Sequence, residues 1–315
     1  MRFLRHACLF LATVAGLAAG ETASAPATRI RVAAISFVPT KGDLTANADR
    51  LEQAFRQAAA GGAKLAVAPE GTLDGYLINE VLAGKTPVAE TERVAVAIDD
   101  PLIRRFQALA DTLDLCVVFG FAERIGGEIF NTAVFIDHAG AIRGKYHKMI
   151  FEEGYHDGWW FNRLGRQSRA FETPFGRCGI LICNDRWNPE LARIPALDGA
   201  QFLVIPAFGS TSPRQDDAVL SRARETDLPI VEANVGVSLV VSGGQIAAVK
   251  REREGIVFAE MTIPAPRQIN APERDATERE FLTWRAGEMQ RRYRAKNHWL
   301  GRTPPTSTVG SSNPK

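Results

Sequence analysis

Three side chains in this sequence stand where a strand-like run gives way to a turn, and together they could do chemistry. They are Glu70 in "KLAVAPEG", Lys148 in "RGKYHKM" and Cys183 in "GILICND". In layered α/β folds, groups at the carboxyl edges of strands gather in one crevice. A thiol there can attack a carbonyl carbon, a carboxylate can take the thiol proton, and a neighbouring cation lowers the thiol pKa. The lysine and a backbone N–H, here that of Asn184, can then stabilise the oxyanion that forms. Each residue also has a plainer use. A free cysteine is a small hydrophobe that is often buried, Glu70 can cap the following turn, and Lys148 can be a solvated strand end. Taken together they fit one nucleophilic mechanism.

Bringing these positions together requires a definite order of elements. "TRIRVAAISF" reads as a first strand, apolar and β-branched at alternate positions. "DLTANADRLEQAFRQAAAGG" reads as a helix with Leu44, Ala48, Leu51, Phe55 and Ala58 on one face and glycines closing it. "KLAVAPEG" is then a short buried strand. The helix "PLIRRFQALADTL" precedes three strands in "LCVVFGFAE", "IFNTAVFID" and "AIRGKYHK", and a polar, aromatic loop runs from 149 to about 170. "GRCGILIC", "FLVIPA" and "PIVEANV" read as strands separated by the helices "PELARIPALDGA" and "DDAVLSRARETD", and "VSLVV" and "GQIAAVK" pair across "SGG". Alternating strands and helices, with runs of consecutive strands, predict one α/β layered domain with mixed sheets. On one continuous strand Cys178 and Cys183 would face opposite sides, so no disulfide is expected between them.

The chain has 315 residues, 45% hydrophobic and 23% charged, with a net charge of +2. That balance describes a globular protein and gives no electrostatic footprint for nucleic acid. Residues 1–25 read as a signal peptide, with a basic start and an apolar run too short for a comfortable span, cleaved near 20 or 25. Export to the periplasm or medium follows, or membrane anchoring if the leader stays uncleaved. The mature chain would keep Cys116, Cys178 and Cys183, an odd number that leaves a thiol over. Residues 29–265 form the expected catalytic domain, 266–300 a helical extension and 301–315 a disordered tail. There is no G-x-S-x-G elbow, no H-E-x-x-H and no G-x-G-x-x-G after the first strand. An exported solute-binding protein would fit the leader and the alternating elements but leaves the Glu–Lys–Cys set unexplained.

"APEG", "GKYHK" and "GRCGILICNDRWNPE" resemble, in order, the three signature segments of the nitrilase superfamily of carbon–nitrogen hydrolases. The likeness extends through "FNTAVFIDHAGAIRGKYHK", "DGAQFLVIPA" and "LPIVEANVGVSLVVSGGQIAA", roughly residues 29 to 260. It implies a four-layer α-β-β-α sandwich, paired as a homodimer or higher homo-oligomer, with no metal and no organic cofactor. It implies Glu70 as general base, Cys183 as nucleophile and Lys148 as stabiliser of the tetrahedral intermediate. The expected activity is cleavage of an amide or carbamoyl bond through a thioester, with nitrile hydrolysis as the alternative reaction. Many members carry a second glutamate after the lysine; Glu152, Glu153 and Asp157 are the candidates, with Glu153 preferred. "CNDRW" resembles the N-carbamoyl-D-amino acid amidohydrolases, in which two consecutive arginines hold the substrate carboxylate. Arg186 matches the first, and Trp187 replaces the second. Trp159 and Trp160 are candidates to wall an acyl pocket.

Overall fold

The computed structural model describes residues 27–209 and 211–300, with side chains through 296. The leader at 1–25 and the tail at 301–315 fall outside the described residues.

Two six-stranded sheets stack face to face. In the first, β1 (Thr28–Ser36), β2 (Leu65–Val67) and β3 (Cys116–Ile125) run parallel, and β4 (Glu128–Ile136) and β5 (Ile142–His147) continue antiparallel beside β3. In the second, β6 (Phe171–Thr173) pairs antiparallel with β7 (Gly176–Ile180); β7, β8 (Phe202–Ala207) and β9 (Ile230–Asn234) are parallel; and β10 (Ser238–Ser242) and β11 (Gln245–Lys250) close that sheet. A last strand, β12 (Gly255–Ile263), returns to the first sheet and pairs antiparallel with the whole of β1. The strand orders are β12-β1-β2-β3-β4-β5 and β11-β10-β9-β8-β7-β6. Each sheet therefore has three parallel strands flanked by antiparallel ones. Side chains alternate across β1 and β3, so Val32, Ala34, Cys116 and Val118 fill the space between sheets while Ala33, Ile35, Val117 and Phe119 face outward.

Helices cover both outer faces. On the first sheet lie α1 (Leu44–Ala60) and, after the short α2 (Ile78–Leu82) and α3 (Ala89–Val94), α4 (Pro101–Leu113). Leu51, Phe55, Ile103 and Phe106 are fully buried against that sheet. On the second lie α5 (Pro189–Leu197) and α6 (Pro213–Thr226). Three helix starts share one device. Asp100, Asn188 and Ser212 each accept the N–H two residues on, and each is followed by a proline at the first helical position. The side chain satisfies an orphan donor, and proline fills a site whose N–H has no helical partner. The result is the four-layer α-β-β-α sandwich expected from the sequence, in one domain.

The C-terminal part is a 30-residue helix, α7 (Ala271–Leu300). It returns over the segment 149–170. Arg285 donates to the Gly165 carbonyl at 2.6 Å, Glu278 accepts the Ser168 N–H at 2.8 Å, and the Met289 carbonyl accepts the Tyr155 N–H at 3.1 Å. No helix among the described residues is long and apolar enough to cross a membrane.

Candidate active site

The three reactive side chains converge. Glu70 lies just past β2, held by its N–H on the Ala207 carbonyl of β8 at 3.3 Å, so both sheets fix it. Gly120 of β3 makes room for it, because a Cβ there would sit 2.6 Å from the Gly71 nitrogen and 2.8 Å from Glu70 Cα. Lys148 follows β5 directly, with its N–H on the Asn131 carbonyl and its own carbonyl accepting from Gly165. Its ammonium donates to Glu70 Oε1 at 2.6 Å and lies 3.2 Å from the Tyr76 hydroxyl. Asn131 Nδ2 donates to the same Glu70 oxygen at 2.7 Å. Glu70 Oε2 is buried with no partner among the described residues, which leaves it free as an acceptor.

Burial alone would pull the Lys148 ammonium down. Glu70, Tyr76, Cys183 and Glu153 more than offset that and carry it well above the ordinary lysine value. Lys148 is therefore charged throughout the neutral range.

Cys183 does not stand on a strand. β7 ends at Ile180, and Cys183 opens a 3-10 turn, Cys183–Trp187, with φ of +47°. The expectation of opposite faces on one strand is thus replaced by a change of element between the two cysteines. Cys178 is fully buried between the sheets; Cys183 is part-buried, and its Sγ contacts the Phe208 carbonyl at 3.7 Å. All three described cysteines are free. The expected lowering of the Cys183 pKa by a neighbouring cation is present but outweighed. Burial and then the Glu70 charge push the thiol up to about 11, against the opposing pull of Lys148 and Arg186. The resting sulfur is a thiol, and attack requires a base beside it.

Asn184 is the second residue of the turn. Helix-like turns leave their first N–H groups without internal partners, so this one can serve an oxyanion. Asp185, to which the sequence reading gave no role, fastens the turn. Its Oδ2 accepts from the Tyr146 hydroxyl at 2.9 Å and the Ile182 N–H at 3.1 Å, and its Oδ1 from the Ile150 N–H at 2.8 Å. One buried carboxyl thereby ties the cysteine turn to the backbone following Lys148. Burial raises its pKa to about 6 despite these donors.

Arg186 requires a correction. It is 1% exposed, with Nη1 donating to the Cys183 carbonyl at 3.0 Å and Nη2 to Gln215 Oε1 at 3.1 Å. Nη1 also lies 3.0 Å from Glu232 Oε1 in a Coulombic contact rather than an aligned hydrogen bond. A guanidinium enclosed in this way holds the nucleophile's backbone and is not presented to a substrate carboxylate. Trp159 is buried behind Phe161, which lines the cavity that reaches Tyr76 and Asn131; it packs with Val81 and Phe161 and touches Tyr155 and Tyr293.

Of the three acids after Lys148, Glu152 is exposed toward Lys296 and Asp157 is exposed. Glu153 is the one within electrostatic reach of Lys148, Glu70 and Tyr76, and burial raises its pKa while Lys148 opposes that. Tyr76 and Asn131 were missed because a tyrosine in a turn and an asparagine in an apolar strand carry no spacing signal.

A family model for carbon–nitrogen hydrolases matches residues 31–269. A citrullinase of Francisella tularensis subsp. tularensis is 30% identical over 192 residues, 60% of this chain and 64% of its own length. An N-carbamoylputrescine amidase of Solanum tuberosum is 30% identical over 195 residues, 61% of this chain and 63% of its own. The chain thus spans somewhat under two thirds of each of these two relatives. Among solved structures, an amidase from Nesterenkonia sp. AN1 in complex with acrylamide superposes with a TM-score of 0.63 at 22% identity, covering 74% of this chain and 90% of that one. At that identity the likeness speaks for the fold.

Proposed function

The chain belongs to the carbon–nitrogen hydrolase family, and from that premise we propose that it hydrolyses a non-peptide carbon–nitrogen bond in an amide or carbamoyl compound through a thioester on Cys183. The observation that carries the proposal is the division of labour at Glu70. One oxygen is held by Lys148 and Asn131, and the other is buried and unpartnered in the same site as a protonated thiol.

As Sγ attacks the carbonyl carbon, its proton passes to Glu70. The carbonyl oxygen takes up the negative charge and is stabilised by the Lys148 ammonium and the Asn184 N–H. Collapse breaks the C–N bond, and the amine or ammonia leaves with the proton that Glu70 held. Water then gives a proton to Glu70 and its hydroxide to the thioester carbon. The second tetrahedral species expels the thiolate, which recovers the proton. Glu153 positions the substrate from across Lys148. The names of the citrullinase and the carbamoylputrescine amidase support a carbamoyl or amide substrate. The apolar leader supports action outside the cytoplasm, and the family resemblance supports a homodimer.

The test is ammonia release by full-length protein from a panel of amides, carbamoyl compounds and nitriles, with Cys183→Ala as control. Amide or carbamoyl turnover lost in the control is expected. Turnover of nitriles alone, or an active control, contradicts the reading.

A further inference from the structure

With Arg186 enclosed, another cation contacts the aromatic pair beside the site, at the end away from Lys148. Tyr76 and Phe208 lie side by side, ring centroids 5.1 Å apart. At the inner end the Tyr76 hydroxyl meets the Lys148 ammonium, and the Phe208 carbonyl meets Cys183 Sγ. At the outer end is Lys41, whose Nζ donates to the Tyr76 carbonyl at 3.1 Å and lies 4.9 Å from the Phe208 ring centroid. The ammonium groups of Lys148 and Lys41 are 5.5 and 5.9 Å from the same Tyr76 ring centroid.

Lys41 is exposed, and among the described residues no carboxylate lies within salt-bridge distance of it; Glu80 and Asp74 act on it only at longer range. Its position is nevertheless built. Buried Asn47 accepts the Thr40 N–H and donates to the Thr40 and Leu73 carbonyls, each at 2.7–2.8 Å, and the Gly42 N–H donates to the Asp74 carbonyl. Gly75, at φ +76°, lets this loop lie directly on the segment carrying Tyr76, since a Cβ there would collide with the Thr40 carbonyl. A cation fixed by its backbone and unpaired by carboxylate is prepared to bind an anion with little ordering cost.

We propose that Lys41 is a specificity residue that receives the far carboxylate of a short linear amide or carbamoyl substrate whose reacting carbonyl sits at Cys183. This rests on the hydrolase reading of the site and names its substrate class. The aromatic pair supplies an apolar wall for the intervening methylenes, with an ammonium at each end.

The test compares glutaramate with pentanamide, matched in carbon number and differing in the terminal charge. Full-length protein and its Lys41→Met, Lys41→Arg and Lys41→Glu variants are assayed for the ratio of kcat/KM between the two. Lys41→Met should lower the ratio about fivefold or more, chiefly through KM for glutaramate. Lys41→Arg should keep most of it, and Lys41→Glu should lower it further. A ratio that Lys41→Met leaves within about twofold overturns the inference. A second readout needs no turnover: protection of Cys183 from iodoacetamide by each compound. If glutaramate protects better, and only when Lys41 is present, the carboxylate contact at Lys41 stands even where neither compound is hydrolysed, and the hydrolase reading is then decided by the amide, carbamoyl and nitrile panel. If both are hydrolysed and both protect irrespective of Lys41, the inference falls and the hydrolase reading stands. If glutaramate gives no more protection than pentanamide in the unaltered protein, the inference is overturned.

Discussion

Replacing Arg186 by methionine should damage the fold before it damages substrate recognition, and the size of the damage should depend on pH. The guanidinium lies over Glu232, which is fully buried and whose carboxyl is pushed up to about 7 by burial, with Arg186 holding it down. At pH 6 Glu232 is mostly protonated in the unaltered protein, so the variant loses mainly the bond to the Cys183 carbonyl and leaves that acceptor without its donor. Such a loss costs about 1–3 kcal/mol. Gln215 Oε1 keeps the Asn234 donor at 3.0 Å and adds little. Above pH 7 the balance changes. Without Arg186 the carboxyl's folded-state pKa rises further above its unfolded value of 4.5. A raised folded pKa gives stability that is fully present below the unfolded pKa and lost as pH rises through the folded one. The variant should hold its proton past the point at which the unaltered protein releases it, and the gap should widen by up to about 1.4 kcal/mol per pH unit. By pH 8.5 the total should reach about 3–5 kcal/mol, the usual cost of breaking one side of a buried pair. At about 2 °C per kcal/mol for a chain of this size, Tm should fall by roughly 4 °C at pH 6 and 8 °C at pH 8.5. Thermal unfolding followed by circular dichroism at both values measures it, and adding Glu232→Gln should remove the pH-dependent part. An Arg186→Met protein with unaltered Tm and a raised KM for carboxylate-bearing substrates would refute the reasoning and restore Arg186 as a substrate clamp.

Other outcomes follow from the same site. Lys148→Met should cut kcat by about 10²-fold or more, because the oxyanion loses a charged donor; near-normal turnover would remove Lys148 from the mechanism. Iodoacetamide at neutral pH should label Cys183, which is part-buried beside the Glu70 carboxylate, and spare Cys116 and Cys178, which are fully buried; mass mapping of the non-reduced protein reads this, and a disulfide between any two of them would contradict it. The Asp185 carboxyl is raised from 3.8 to about 6, so relative to Asp185→Asn the unaltered protein should lose about 3 kcal/mol of stability as pH rises from about 4 to 6. A flat difference between the two unfolding curves over that window would show that Asp185 is not held as described.

The sequence carried the layers well because the pattern that identifies them is local. Leu51, Phe55, Ile103 and Phe106 recur at helical spacing, and the helix 101–113 has its cap, its proline and its apolar face in one stretch. β12 was not read as a strand, although Val257, Ala259, Met261 and Ile263 alternate toward the core: it is an edge strand, and its partner is β1, more than 200 residues away. The Glu–Lys–Cys set was legible because each member ends a strand-like run. Its supports were not, since their meaning depends on contacts between sheets. Arg186 reads as a substrate ligand until Glu232 and Gln215, on β9 and α6, are found against it. Lys41 sits in an ordinary polar loop, and only the fold sets it on the same ring as Lys148.

The central claim is that the carbon–nitrogen bond is broken by covalent transfer of the acyl group to Cys183. Rapid acid quench of full-length protein turning over a slow amide, followed by intact and peptide mass analysis, tests it most directly. The account predicts an adduct of the acyl mass on the peptide containing Cys183, released by hydroxylamine and absent from Cys183→Ala. Sustained ammonia release by Cys183→Ala at a rate near that of the unaltered protein, with no adduct on either, would contradict it.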